Sequence, residues 1–227
     1  MADALKIVSE FALSVDFSTD KLGPDFMWFN PPPKWQMKFH GDSGGMKVVP
    51  RGKTDFWRRT YYKPELIKDN GHLLHLIVKQ EMCIIETSFD LTAVNQFDQA
   101  GIMIRMGNER WMKIGLEFVD GTYRASCVVT NKYSDWSTQD WHDGKLALRI
   151  HKICDDYVGI LNANGESRKR LKIQRSRRAM YSEMNSVFKL QSGNSKFHCL
   201  ARTGTCALKT RQTLFAFLSF WGEYKNQ

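Results

Sequence analysis

The sequence lacks the features that mark membrane and secreted proteins. It contains no run of 18 consecutive apolar residues, which excludes a transmembrane helix. It has no Asn-x-Ser/Thr acceptor for glycosylation. Its first 20 residues carry four acidic side chains and no basic stretch followed by an apolar core, so they do not predict a secretory signal. The five cysteines are odd in number and widely spaced, as is typical of free thiols. We therefore expect a cytoplasmic protein.

Acidic residues are scarce in the last third of the chain. Residues 1–144 hold 17 basic and 19 acidic side chains, whereas residues 145–227 hold 16 and five. The densest basic run is 168–178, where seven of eleven residues are cationic. Such a run is either a phosphate-binding strip or a solvated edge that discourages aggregation. No aromatic residue interrupts it, so it does not predict a platform for stacked bases, and we do not expect nucleic-acid binding.

Helical periodicity is also scarce, and two-residue alternation dominates. The predicted strands are 37–40, 46–49, 73–79, 82–89, 100–106, 112–119, 124–130, 146–153, 157–162, 171–174, 197–201 and 213–221. Asp120-Gly121 between two of them predicts a tight hairpin. The pattern favours one all-β domain over residues 1–227, a jelly-roll sandwich of two antiparallel sheets. A basic insertion near 165–196 interrupts it, and 179–188 is the one predicted short helix.

Two neighbouring strands place small and polar residues on the sheet face opposite the core. The predicted core set of the second strand is Met112, Ile114, Leu116 and Phe118. The opposite set, pooled from both strands, is Gln99, Arg105, Trp111, Lys113 and Glu117. Gly101 and Gly115 leave space among these side chains, which predicts a ligand groove. The alternative is a solvated face with cross-strand ion pairs.

Further polar and aromatic residues are predicted to flank this groove from loops or strand ends. They are Trp57, Arg58, His72, Asp135 and Trp136. Aromatic rings stack on the apolar face of a pyranose, and charged side chains bond its hydroxyls, so the set suits a carbohydrate-like ligand. The alternative is structural: Trp57 and Trp136 would plug the ends of the sandwich, and Arg58 would pair with Asp135 or Asp55.

Catalytic and metal-binding patterns are missing from the sequence. Glycosidases need two carboxyl groups about 5–5.5 Å apart for retention or about 6.5–9.5 Å apart for inversion. Only Glu117 can be placed on the groove face; Asp55, Asp98 and Asp135 would have to approach it through loops. There is no zinc-ligand spacing, no nucleophile elbow and no phosphate loop. We predict no catalytic residue, no metal and no cofactor.

An ordered series of motifs resembles a known family. The motifs of this series include Trp28-x-Asn30-x-Pro32-x-x-Trp35, Thr54-Asp55-Phe56-Trp57-Arg58-Arg59-Thr60, Phe97-Asp98-Gln99-Ala100-Gly101 and Trp111-Met112-Lys113-Ile114-Gly115. The series resembles the uncharacterised family that includes bacterial concanavalin A-like proteins and the fungal regulator-of-enolase protein. The resemblance is strong over residues 26–140, weak over 145–162 and lost beyond. It implies a concanavalin A-like lectin/glucanase sandwich and brings no established activity.

These observations together predict a non-catalytic binding or regulatory protein. Its groove would take a carbohydrate-like or phosphorylated, hence anionic, small ligand. Two alternatives stay open. One is a glycoside-processing enzyme, and the other is a protein-interaction module that contacts glycolytic enzymes.

Overall fold

A computed structural model describes residues 15, 17–39, 44–60, 63–80, 82–154 and 156–162, and the backbone of strands at 187–188, 198–202 and 214–221. Every regular element in these residues is a β-strand. The first eight strands are β1 (Met27–Phe29), β2 (Lys34–Met37), β3 (Met46–Val49), β4 (Phe56–Arg58), β5 (Ile67–Asp69), β6 (His72–Val78), β7 (Met82–Asp90) and β8 (Gln99–Arg105). The others are β9 (Arg110–Val119), β10 (Thr122–Asn131), β11 (Tyr133–Asp140), β12 (Lys145–Ile153), β13 (Asp156–Asn162), β14 (Val187–Phe188), β15 (His198–Arg202) and β16 (Leu214–Trp221).

The strands form two large antiparallel sheets. The first has the order β1-β6-β16-β8-β9-β10-β11, and the second has the order β14-β15-β13-β12-β7. Strands from the end of the chain therefore complete both sheets. Two short hairpins, β2–β3 and β4–β5, form sheets of their own. The architecture is the concanavalin A-like β-sandwich that the sequence predicts.

Alternation along each strand builds the core between the two sheets. On β9 the side chains of Met112, Ile114 and Leu116 are buried there, as predicted, together with Ile150 and Leu161 of the second sheet. Full burial of one such side chain contributes about 1.5–3 kcal/mol. Phe118 is only half-buried, and its ring contacts Tyr123 edge-on at 5.3 Å. The predicted register is confirmed for Met112, Ile114 and Leu116, whereas Phe118 lies outside the buried core cluster.

The turn between β9 and β10 also forms as its sequence predicts. Asp120 has a φ of 51° and Gly121 a φ of 77°. Positive φ at both central residues defines a type I′ turn, whose twist matches the flanking strands. The turn pairs Val119 with Thr122 and fixes the register of the whole hairpin.

Short and polar strands are where structure and sequence prediction differ. β2 begins three residues before the predicted strand 37–40, and β1, β4, β5 and β11 form where no strand was predicted. β14 occupies the last two residues of the predicted helix 179–188, which is wrong there. The rest of that helix, the predicted strand 171–174, the basic run 168–178 and most of the insertion near 165–196 lie outside the described residues.

Within the described residues, Cys83, Cys127 and Cys154 are free thiols, as predicted. In the same part of the chain we find no helix with the length and apolarity that crossing a bilayer requires.

Candidate functional site

The candidate site lies on the outer face of the first sheet, which is the face turned away from the core. Strand register places its side chains in rows across β8, β9 and β10. The rows are Gln99–Glu117–Arg124, Gly101–Gly115–Ser126, Met103–Lys113–Val128 and Arg105–Trp111–Thr130. The five residues predicted for the groove therefore do share one face. That face is not open along its whole length.

The β4–β5 hairpin covers one half of the outer face. Its Phe56 has no exposed surface and packs with Leu73, Met103, Trp111 and Val128, a group we call the hairpin cluster. Trp111 is consequently only 2% exposed. The hairpin thus forms a second, smaller apolar core on the side of the sheet where a groove was predicted.

Two ion pairs fasten the hairpin to the sheet. Lys113 Nζ donates to Asp55 Oδ1 over 2.9 Å, and only 6% of the Lys113 side chain is exposed. Arg105 binds Asp69 through both guanidinium nitrogens, at 2.5 and 2.8 Å, and lies 4.9 Å from the centre of the Phe29 ring. Bidentate geometry of this kind is strong and directional. Arg105 and Trp111 therefore hold the hairpin in place and do not line an open groove.

Trp57 and Arg58 lie in β4, a strand of three residues that ends at Arg58. Trp57 packs against the hairpin cluster. The Arg58 guanidinium is paired with Glu109, a partner other than the predicted Asp135 or Asp55, and the Arg58 backbone N–H donates to Ser134 Oγ over 2.9 Å. Both residues belong to the cover over the sheet.

His72 is buried, and both of its ring nitrogens are occupied by backbone groups. Nε2 accepts the Arg51 backbone N–H over 2.9 Å, so this nitrogen carries no proton. Nδ1 then carries the ring proton and donates it to the Asn30 carbonyl over 2.6 Å. A ring held in this way ties β1 and the segment after β3 to β6. In the described structure, His72 holds these three parts of the chain together.

Asp135 and Trp136 lie in the edge strand β11 on opposite faces. Trp136 pairs with Val128 of the outer face, whereas Asp135 pairs with Val129. Side chains alternate along a strand, so Asp135 is directed away from the outer face. The predicted placement of Asp135 beside the groove is wrong.

A small pocket remains on the outer face beside the hairpin. Its cavity volume is about 10 Å³, room for one water-sized group, and its polar lining is provided by the nearly buried Gln99, Lys113 and Ser126. Its floor is the pair Gly101 and Gly115, which face each other across β8 and β9. We call this the outer-face pocket. It lies within the area where the groove was predicted.

The two glycines are required by the close approach of the strands. A Cβ added at Gly101 would lie 2.1 Å from the Ile114 carbonyl oxygen, and one at Gly115 would lie 2.0 Å from the Ala100 carbonyl oxygen. Both contacts are to backbone, so neither can be relieved by a side-chain rotation. The pocket exists because no side chain can occupy these two positions.

Glu117 is bonded to Ser126 of the pocket lining and is 5% exposed. Its Oε2 accepts hydrogen bonds from Ser126 Oγ over 2.7 Å and from Trp136 Nε1 over 3.0 Å. Burial raises the pKa of Glu117 above its usual range, and the Asp55 charge acts in the same direction. Lys113 and the two hydrogen bonds oppose the rise without cancelling it. Asp55, brought close by the hairpin, and Ser126 are thus the functional neighbours that sequence reasoning did not select.

Gln99 and Trp136 border the pocket with unused recognition capacity. Gln99 is 6% exposed, and in the described part of the chain its amide has no hydrogen-bond partner. Trp136 is 40% exposed, although its N–H is bound to Glu117 and its ring contacts Phe97 edge-on at 6.5 Å. An amide and an oriented indole ring are therefore both available to a ligand.

Glu117→Gln should change how stability depends on pH. Because the folded protein raises the pKa of this carboxyl, it holds the proton more tightly than the unfolded chain does. Wild-type stability should then fall as pH rises above the unfolded pKa of about 4.5, until the folded pKa is passed. Glutamine cannot ionise, but it can still accept from Ser126 and Trp136. Urea unfolding between pH 4.5 and 8 should show that the stability of the variant rises relative to that of wild type as pH rises. A constant difference in stability across this range would contradict the raised pKa of Glu117.

Among the described residues, no group of three or more His, Cys, Asp or Glu side chains is arranged to hold a metal ion.

Comparison with known proteins identifies the family. A family model described as "Protein of unknown function (DUF1349)" matches residues 28–187, which is more than half of the chain. The chain belongs to this family. A relative from Saccharomyces cerevisiae, named "Regulation of enolase protein 1", is 35% identical over 119 residues. That alignment covers 49% of this chain and 52% of the relative, so the chain spans about half the length of the curated relative it matches.

Solved structures share the sandwich fold of this DUF1349 protein. A functionally unknown protein from Saccharomyces cerevisiae superposes with a TM-score of 0.62 at 22% identity, covering 86% of both chains. The GH43 protein BlXynB from Bacillus licheniformis superposes with a TM-score of 0.51 at 12% identity, covering 90% of this chain and 38% of that one. At these identities the similarity establishes the fold alone.

Proposed function

We propose that this DUF1349 protein is a non-catalytic binding protein whose outer-face pocket receives a polar group of a small, carbohydrate-like or phosphorylated ligand. The carrying observation is the buried Glu117 at the margin of the pocket. A buried carboxyl group destabilises a fold unless it is bonded, and proteins concentrate such groups at functional sites. Here Ser126 and Trp136 bond one oxygen of the carboxyl, and Lys113 lies close to it.

The pocket offers recognition groups of several kinds. Lys113 supplies an ammonium group, Gln99 an amide and Ser126 a hydroxyl, and Trp136 supplies a half-exposed ring beside them. Few but convergent polar groups next to an aromatic surface are typical of small-ligand sites. The hairpin keeps the ammonium group in place, because Asp55 is paired with Lys113.

The glycoside-processing alternative receives less support. Asp55 is the carboxylate that acts on Glu117, but its Oδ1 accepts from both Lys113 Nζ and the Phe56 backbone N–H, over 2.9 and 2.7 Å. A group bonded in this way is poorly placed to attack a sugar or to activate water. The arrangement favours binding without bond cleavage.

A regulatory role through a protein partner is the second candidate function. It is favoured by the 35% identity with the relative named "Regulation of enolase protein 1". In this version, the DUF1349 protein would contact a glycolytic enzyme, and the outer-face pocket would serve as a ligand-sensing site. The three free thiols support a cytoplasmic location for either role.

The proposal is tested by mapping ligand binding onto assigned NMR signals. Neutral sugars and sugar phosphates, added one at a time, should shift the Trp136 indole N–H and the Gln99 side-chain amide. Gln99→Met should weaken such binding several-fold, because it removes both the donor and the acceptor while retaining chain length. Gln36→Met makes the same change at an exposed position of β2 and should leave binding unchanged.

Two results would redirect the proposal. A ligand that binds wild type and Gln99→Met equally would place the small-molecule site elsewhere. Shifts caused by purified enolase, with none from any sugar or sugar phosphate, would favour the protein-interaction alternative.

A further inference from the structure

We infer, on the basis of the proposed function, that the outer-face pocket selects an uncharged hydroxyl or hydroxymethyl group of a ring-shaped ligand lying on Trp136, and discriminates against phosphorylated ligands. The inference rests on the charges, the unused hydrogen-bond capacity and the shape of the outer face.

Each cation that β8, β9 and β10 place on the outer face has an anionic partner. Lys113 is paired with Asp55, Arg105 with Asp69, and Arg124 with Asp140. Arg58 of the covering hairpin is paired with Glu109.

Glu117 is an additional carboxyl group on this face. The sum of these charges is therefore zero when Glu117 is protonated and −1 when it is ionised. A phosphate entering the pocket would meet no net positive charge and would have to displace a carboxylate from Lys113. Phosphate sites in proteins instead present uncompensated cations or converging backbone N–H groups.

Unused hydrogen-bonding groups match a hydroxyl. The Gln99 amide offers both a donor and an acceptor to the pocket, and a hydroxyl group needs one of each. The Ser126 hydroxyl already donates to Glu117 and accepts the Trp136 N–H over 3.1 Å, so it has less hydrogen-bonding capacity left than the Gln99 amide. Gln99 is thus the residue that would hydrogen-bond the ligand hydroxyl and determine selectivity.

The shape of the pocket restricts what can enter it. The narrow space above Gly101 and Gly115 admits a single small group and not a whole ring. The ring of the ligand would then remain outside, where Trp136 is 40% exposed and is held edge-on by Phe97. Stacking of an aromatic face on an apolar ring face adds binding energy without adding charge.

Matched pairs of probes test the inference directly. D-glucose is compared with glucose 6-phosphate, and D-mannose with mannose 6-phosphate, at equal ionic strength, with inorganic phosphate as the anion control. Binding is followed through the Trp136 indole and Gln99 amide signals. We expect at least one neutral sugar to shift both signals, with an affinity at least about tenfold greater than its phosphate, as one uncompensated charge would cause.

Asp55→Asn provides a second test because it removes one negative charge from beside the pocket. The asparagine oxygen can still accept from Lys113 and from the Phe56 N–H, but the local charge rises by one. The preference for the neutral sugar should then fall several-fold, whereas Gln36→Met, which leaves the charge of the outer face unchanged, should not alter it.

The outcomes separate this inference from the proposed function. A sugar phosphate that shifts the pocket signals as strongly as its neutral partner, or more strongly, overturns the selectivity and leaves pocket binding intact. An unchanged preference in a folded Asp55→Asn variant overturns the charge argument. No shift at Trp136 or Gln99 with any probe overturns both the inference and the proposed function.

Discussion

Phe56→Ala should lower the free energy of unfolding by about 3–5 kcal/mol, the usual cost of truncating a fully buried aromatic ring. Phe56 has no exposed surface and fills the space between the hairpin and the outer face. The backbone of Gly71 lies against its ring, since a Cβ at Gly71 would come within 2.5 Å of it. Because Gly71 has no side chain, nothing from that side of the ring can move into the cavity.

The same substitution should also loosen the cover over the sheet. Asp55 precedes Phe56 and holds Lys113, so displacement of the hairpin would leave a buried ammonium without its partner. Trp111, which is 2% exposed beneath the hairpin, should become accessible to water. Urea denaturation measures the stability, and acrylamide quenching of tryptophan fluorescence measures the exposure.

Ile67→Ala is the matched control for this prediction. Ile67 lies in β5 of the same hairpin but is 45% exposed, so its truncation should cost less than about 1 kcal/mol. If Phe56→Ala cost no more than Ile67→Ala, the hairpin would not be bound to the sheet in solution, and the outer face would be the open groove that the sequence predicts.

The length of a strand decides how well the sequence predicts it. β8, β9 and β10 have seven to ten residues, enough for alternation to identify both the strand and its two faces. β4 and β5 have three residues each, which is too short for any period to appear. The sandwich was therefore predictable, and the hairpin that covers half of it was not.

The unpredicted hairpin explains why half of the predicted groove is covered. Alternation places Arg105, Trp111 and Lys113 on the outer face correctly, but it cannot indicate whether that face meets solvent or another part of the chain. Ion pairs between distant segments, such as Arg105 with Asp69, have no local sequence signal. Contacts of this kind become visible only when the tertiary structure is known.

One other placement could have been improved from the sequence, and two could not. Strand 124–130 was predicted, and its alternation puts Ser126 on the same face as Val128, so Ser126 could have joined the candidate set. In β11 the polar composition concealed the strand, and with it the opposite orientation of Asp135 and Trp136. His72 has no such signal, because its ring is bonded by the backbone of two distant residues.

Gly115→Ala should destabilise the protein by about 3 kcal/mol or more, at or above the upper end for an overpacked site. The added methyl carbon would lie 2.0 Å from the Ala100 carbonyl oxygen and 2.6 Å from the Gly101 Cα. Because both atoms are backbone, β8 and β9 must separate at the middle of the first sheet. The separation would disturb the ladder hydrogen bonds there and the floor of the outer-face pocket.

Gly107→Ala is the appropriate control, because Gly107 lies in the connection between the same two strands. A Cβ at Gly107 meets no atom within 4 Å, so the substitution should change stability by less than about 1 kcal/mol and can even raise it. Urea denaturation of the two variants under identical conditions gives the comparison. Equal stability of Gly115→Ala and Gly107→Ala would mean that β8 and β9 do not approach as closely as described.

A double-mutant cycle with Gly101→Ala carries this argument further. Gly101 and Gly115 face each other, and a Cβ at Gly101 would lie 2.7 Å from the Gly115 Cα. Once one methyl group has forced the strands apart, the second should cost less than it does alone. The two changes should therefore be less than additive by at least about 0.5 kcal/mol, as is typical of residues in contact. Strict additivity would show that each glycine is required for a separate reason, and the pocket floor would not be a single structural unit.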